Sequence, residues 1–61
     1  MLTLKLIGED RWSRPVYKDD RGKLWKDVEC GMSETPCLHR ASNNDFEGEP
    51  DYLLEEDYKI I

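Results

Sequence analysis

Sixty-one residues suffice for one small domain and leave no room for a second. Apolar and charged residues each make up 38% of the chain, and the net charge is −5. That balance excludes a large apolar core and, for want of concentrated Lys and Arg, argues against nucleic acid or an anionic membrane as a direct partner. The charge is divided. Residues 1–28 carry seven basic and five acidic side chains, whereas residues 29–61 carry two basic and nine acidic ones.

Leu2-Thr3-Leu4-Lys5-Leu6 alternates apolar and polar with period two, which predicts a half-buried strand over 2–7 ending at Gly8-Glu9-Asp10. The same run is broken by Lys5 and is too short for a signal peptide or a membrane span, so a cytoplasmic protein is expected. Arg14 precedes a proline and must be extended, and Pro15 belongs at a strand start or edge. Val16-Tyr17 and Leu24-Trp25 are strand formers on either side of Asp19-Asp20-Arg21-Gly22, which predicts a hairpin with strands at 15–19 and 23–28. Gly22 is placed at the left-handed position of its loop, and Tyr17 pairs with Trp25 across it.

Cys30 to Pro36 reads as a connector with Gly31, Ser33 and Pro36 as breakers. A short strand follows at 37–41, then a turn cluster at Ser42-Asn43-Asn44-Asp45. A last strand is predicted at 57–61. A helix starting at Pro50 competes upstream of it, but that run lacks a C-cap glycine and allows at most one helical turn over 50–56. The expected fold is all-β: a small antiparallel sheet, curled toward a barrel around one aromatic core.

The densest chemistry lies in ASNNDFEGEPDY, where Asp45, Glu47, Glu49 and Asp51 fall within seven residues. Counted from Asn43, oxygen ligands at positions 1, 3 and 5 and Gly48 at position 6 imitate a calcium loop. Position 12 is Leu54, however, and the bidentate carboxylate that such a loop needs is missing. Acid–base catalysis would require a desolvated carboxyl beside a pocket, which a domain of this size has little room to build. The run is therefore expected to be an exposed acidic turn, anchored by Phe46, whose carboxylates project into water. Cys30, Cys37 and His39 give three soft ligands where structural zinc wants four, usually with a closer cysteine pair. Two cysteines are also too few for a secreted disulfide framework, so free thiols are expected and no cofactor or metal is assigned. Trp12 beside Arg14 is the natural exposed aromatic patch, since the other rings are needed inside.

Two stretches, WSRPVYKDDRGKLWKDV and LHRASNNDFEGEPDYLL, resemble small bacterial domains associated with the large polyvalent proteins of conjugative elements and phages. The shared pattern is Trp-x-Arg-Pro-Val-Tyr, a turn, an aromatic-Lys-Asp strand, then Asn-x-Phe-x-Gly-Glu-Pro-Asp, together covering residues 12–54. The resemblance implies a mobile-element context and an accessory role, and it carries over no catalytic residue. The expected function is a non-enzymatic, monomeric protein-interaction module. Its surface would include Trp12, Arg14, Asp45, Glu47, Glu49 and Asp51; the acidic half reads first as a solvated face, and the protein partner is left open, a basic one being an option. The alternative is a small acidic inhibitor or DNA mimic, which occupies a basic nucleic-acid-binding protein.

Overall fold

The computed structural model describes residues 1–30, 32 and 34–61. Gly31 and Ser33, read above as breakers, lie outside the described residues. The fold is all-β, as the composition and alternation imply. Six strands form one sheet: β1 (Leu2–Glu9), β2 (Pro15–Asp19), β3 (Leu24–Asp27), β4 (Leu38–Ala41), β5 (Pro50–Leu53) and β6 (Tyr58–Ile60). The spatial order is β5-β4-β3-β2-β1-β6.

Three expectations are corrected. The sheet is mixed rather than wholly antiparallel, because β6 runs parallel to β1 with Leu2 opposite Tyr58 and Leu4 opposite Ile60. It is also not closed into a barrel, since β5 and β6 remain as separate edges. Residues 50–53 form a strand rather than a helical turn. Pro50 can open that strand because it lies on the sheet edge, where its missing N–H leaves no ladder bond unmade. The helical content of the described residues is a 3-10 turn at Ser42–Asn44, in which Asn43 and Asn44 both take left-handed backbone angles. Asparagine tolerates that region better than most residues do.

The central hairpin follows the sequence closely. Tyr17 stands opposite Trp25, and Gly22 has φ +86° in open space. A bulge between Leu6 and Gly8 shifts the register of β1 against β2. Ladder parity then divides the side chains between two faces. One face carries Leu2, Leu4, Tyr17, Trp25, Leu38 and Tyr58. The other carries Val16, Leu24, Lys26, His39 and Ala41. On the second face Val16, Leu24 and Ala41 form a buried cluster against which Phe46 packs.

The buried apolar residues are Leu2, Leu4, Val16, Leu24, Leu38 and Ala41, so the core is aliphatic and not aromatic as expected. Six short strands cannot enclose a ring completely. Tyr17, Trp25, Phe46 and Tyr58 are accordingly half-buried, while Trp12 and Tyr52 are exposed.

Candidate functional site

Three turns of the chain use one device. Asp10, Asp19 and Asp27 each end or follow a strand, and each accepts the N–H of the residue two positions on through Oδ1. In the first turn Asp10 Oδ1 also accepts the N–H of Arg14, and in the second Asp19 Oδ1 accepts that of Lys23. Main-chain bonds match as well. The Asp N–H donates to the carbonyl four residues on, and the N–H three residues on returns to the Asp carbonyl, in both turns. The residue three positions after each aspartate has positive φ: Ser13 (64°), Gly22 (86°) and Cys30 (54°). A short carboxylate that hydrogen-bonds the backbone two residues ahead nucleates a turn without help from distant residues.

The three carboxylates differ in where the second oxygen, or the remaining capacity, goes. Asp19 Oδ2 accepts the Trp25 indole N–H at 3.0 Å. Asp27 accepts the N–H of Cys37 at 3.1 Å and so ties the 28–37 connector to β3. Asp10 Oδ2 accepts Lys26 Nζ at 2.7 Å and Arg14 Nε at 2.8 Å. The Lys26 and Asp10 side chains are both fully buried, and the Arg14 side chain is 13% exposed. Burial alone pushes the Asp10 carboxyl up. The Lys26 ammonium, the Arg14 N–H and guanidinium, and the Trp12 N–H outweigh that and hold it far below the usual carboxylate range. Asp19 is shifted the same way for like reasons: burial opposes, and the Trp25, Lys23 and Arg21 donors prevail. Burial, with Asp27 and Tyr58 nearby, raises the Tyr17 phenol above its ordinary value.

A buried lysine is the feature that sequence reasoning missed. Its ammonium is desolvated at heavy cost unless paired, and Asp10 supplies the pair. Around this pair lie two buried side-chain nitrogens with no hydrogen-bond partner, Arg14 Nη2 and His39 Nδ1. His39 stands directly across the ladder from Lys26.

The expected surface residues are not used alike. Trp12 is exposed, with 64% of its surface open, at the tip of the turn that Asp10 clamps. Arg14 is not on that surface. Its guanidinium lies over Asp10 and reaches Glu49 at 3.6 Å, so the expected Trp12–Arg14 patch is divided, with Trp12 outside and Arg14 inside. Arg11 takes its place beside Trp12, with a side chain 73% exposed.

Nor do the four carboxylates of the acidic loop project freely. Asp45 Oδ1 accepts the Glu47 N–H, and Glu47 Oε1 accepts the Arg11 N–H at 3.0 Å. Glu49 pairs with Arg14, and Asp51 with Arg40 at 2.7 Å, whose guanidinium also lies over the Tyr52 ring. The backbone of the loop is itself crowded. A Cβ on Gly48 would meet the Ser42 carbonyl oxygen and would stand 3.0 Å from that of Asp45.

Cys30 and Cys37 are free thiols. Among the described residues no three His, Cys, Asp or Glu side chains are grouped as metal ligands, and no helix is long and apolar enough to cross a membrane. Comparison with protein-family models, with curated proteins and with solved structures finds no match for this chain.

Proposed function

We propose that the domain is a non-enzymatic protein-interaction module that acts through the Asp10–Arg14 turn, with Trp12 as the contact residue and Arg11 beside it. The observation that carries this reading is the position of Trp12. The turns at Asp10 and Asp19 share backbone bonds and side-chain caps, and the residue equivalent to Trp12 in the second turn is Arg21. The turn therefore has no structural need for an indole at that place. With its backbone held by the buried Asp10 carboxylate, Trp12 has less freedom still to lose on binding, which favours an aromatic anchor as a hot spot.

The acidic inhibitor or DNA mimic is less well supported. Mimicry needs carboxylates held free at phosphate-like spacing, whereas Asp45, Glu47, Glu49 and Asp51 each have an internal partner. A cytoplasmic, monomeric accessory protein of a mobile element is part of the proposal, and the genetic context rests on the sequence resemblance alone.

The test is affinity capture from host extract with wild-type and Trp12→Ala domains, followed by titration of the recovered protein against both. Trp12→Ala should melt like wild type and bind at least tenfold more weakly, as loss of a central aromatic anchor does. Equal affinity for both domains would refute the turn as the contact site. A larger loss in Asp45→Asn/Glu47→Gln than in Trp12→Ala would favour the acidic alternative.

A further inference from the structure

Five of the nine basic residues are paired with carboxylates: Arg11, Arg14, Arg21, Lys26 and Arg40. Of the other four, three share one region of one sheet face. Lys5 and Lys18 are direct cross-strand partners on β1 and β2. Lys59 on β6 pairs with Thr3 and so lies diagonal to Lys5 on the same side. No ion pair involves any of the three among the described residues. Like charges directly opposite in a ladder destabilise it. Lysines do protect sheet edges from further pairing, and Lys59 stands on such an edge. That role does not account for Lys5 and Lys18, which stand on interior strands.

Between them runs an open groove of ≈ 200 Å³, lined by Thr3, Lys5, Ile7, Lys18, Asp19, Asp20 and Ile61. Ile7 and Ile61 are both exposed apolar residues, so the groove joins ammonium groups that make no ion pair among the described residues, even with the Asp20 carboxylate in the same lining, to an apolar floor. Asp19 stands opposite Leu4 in the ladder, so its side chain turns to the other face from Lys5 and Lys18, where it meets the Trp25 indole and two N–H groups. A space of this size corresponds to about six or seven waters at roughly 30 Å³ each and falls below the usual range for drug-sized ligands. The net charge of −5 disfavours polyanions by long-range repulsion while leaving a small anion little affected.

We infer that this groove is a binding site for a small amphipathic anion, a carboxylate or phosphate monoester with a short alkyl body. The head group bridges Lys5 and Lys18, and the alkyl chain lies on Ile7 and Ile61. The site is separate from the Trp12 turn, which is formed by other residues.

The experiment is an amide chemical-shift titration of the wild-type domain with hexanoate and, in a second arm, hexyl phosphate. Hexanol and inorganic phosphate serve as probes of each half alone. Saturable shifts centred on Thr3, Lys5, Ile7 and Lys18 are expected with one or both amphiphiles, and the arm that binds more tightly identifies the head group. Lys5→Gln/Lys18→Gln should fold, since it removes a like-charge pair, and should weaken binding at least tenfold. Lys5→Arg/Lys18→Arg should retain it, and Lys23→Gln should change nothing. Unsaturable or scattered shifts, an affinity unchanged in the double glutamine variant, or hexanol or inorganic phosphate binding as tightly as the amphiphiles would each overturn the proposal.

Discussion

Replacing Lys26 by methionine tests the clamp beneath the Trp12 turn. Methionine keeps most of the side-chain volume and removes only the ammonium, so the loss reports the ion pair rather than a cavity. Removing one member of a buried pair costs about 3–5 kcal/mol, because the remaining charge is left uncompensated. Here Asp10 keeps Arg14 Nε and two N–H donors, which places the expected cost at the lower end, about 3 kcal/mol. With a urea slope of about 1 kcal/mol/M for so small a protein, the midpoint should fall by about 3 M. A core of this size rarely supplies more than about 3–5 kcal/mol, so the variant would keep only about 0–2 kcal/mol at room temperature.

Urea titration followed by circular dichroism and Trp fluorescence measures the shift. Asp10→Asn alone should cost at least as much, since it strands a buried ammonium. The double variant Asp10→Asn/Lys26→Met should cost less than the sum of the singles, by at least about 1 kcal/mol, as expected for residues in contact. A Lys26→Met midpoint within about 0.5 M of wild type, or strictly additive losses, would refute the claim that the pair holds the turn in place.

Acidification should destabilise the domain. Asp10 and Asp19 both titrate below their unfolded value near 3.9, so their contribution is complete above that value and is lost as pH falls through the lower folded values. A melting temperature that is flat from neutrality to pH 3 would contradict this. Ser13→Gly should stabilise by about 1 kcal/mol, because a serine at φ 64° gives way to a residue without that penalty, and thermal melting reads it directly. Gly48→Ala should destabilise by more than about 2 kcal/mol, since backbone oxygens fill the space its Cβ would occupy. Asp45→Asn/Glu47→Gln should stay within about 1 kcal/mol of wild type in the same melts, because both carboxylates are exposed and screened.

The first three strands and β4 were legible because alternation and turn residues agree there: Leu2-Thr3-Leu4, Val16-Tyr17 and Leu24-Trp25 flank Asp- and Gly-bearing loops. Strand β5 was not, since residues 50–53 put no fully buried side chain inside and so show no two-residue pattern. The parallel direction of β6 could not be read either. Three residues fix no direction, and the route of residues 54–57 back to β1 is decided by closure against Leu2, whose N–H donates to the Asp57 carbonyl. Lys26 stands between Trp25 and Asp27, and nothing in its neighbours marks it as buried. Its burial depends on Asp10, sixteen positions away, and no local pattern carries that. The turn device was legible in principle, because Asp10, Asp19 and Asp27 recur nine and eight residues apart at predicted strand ends.

The Asp10 and Asp19 turns, one device with different fittings, separate what the turn needs from what it presents. Gly22 meets the left-handed position of the second turn without strain, while Ser13 carries the penalty in the first. Asp19 leans on an indole that is half-buried on the sheet, whereas Asp10 leans on a fully buried ammonium with a guanidinium over it. The first turn is thus the more costly in both its backbone and its support. Strain and buried charge of this kind persist where the surroundings over-determine a conformation, and they are associated with sites that must be held in one shape. Among the described residues Arg11 bonds Glu47, whereas the Trp12 indole, 64% of the residue being open, is mostly in solvent. On the function proposed above, the support is directed outward, toward a partner that meets the exposed indole.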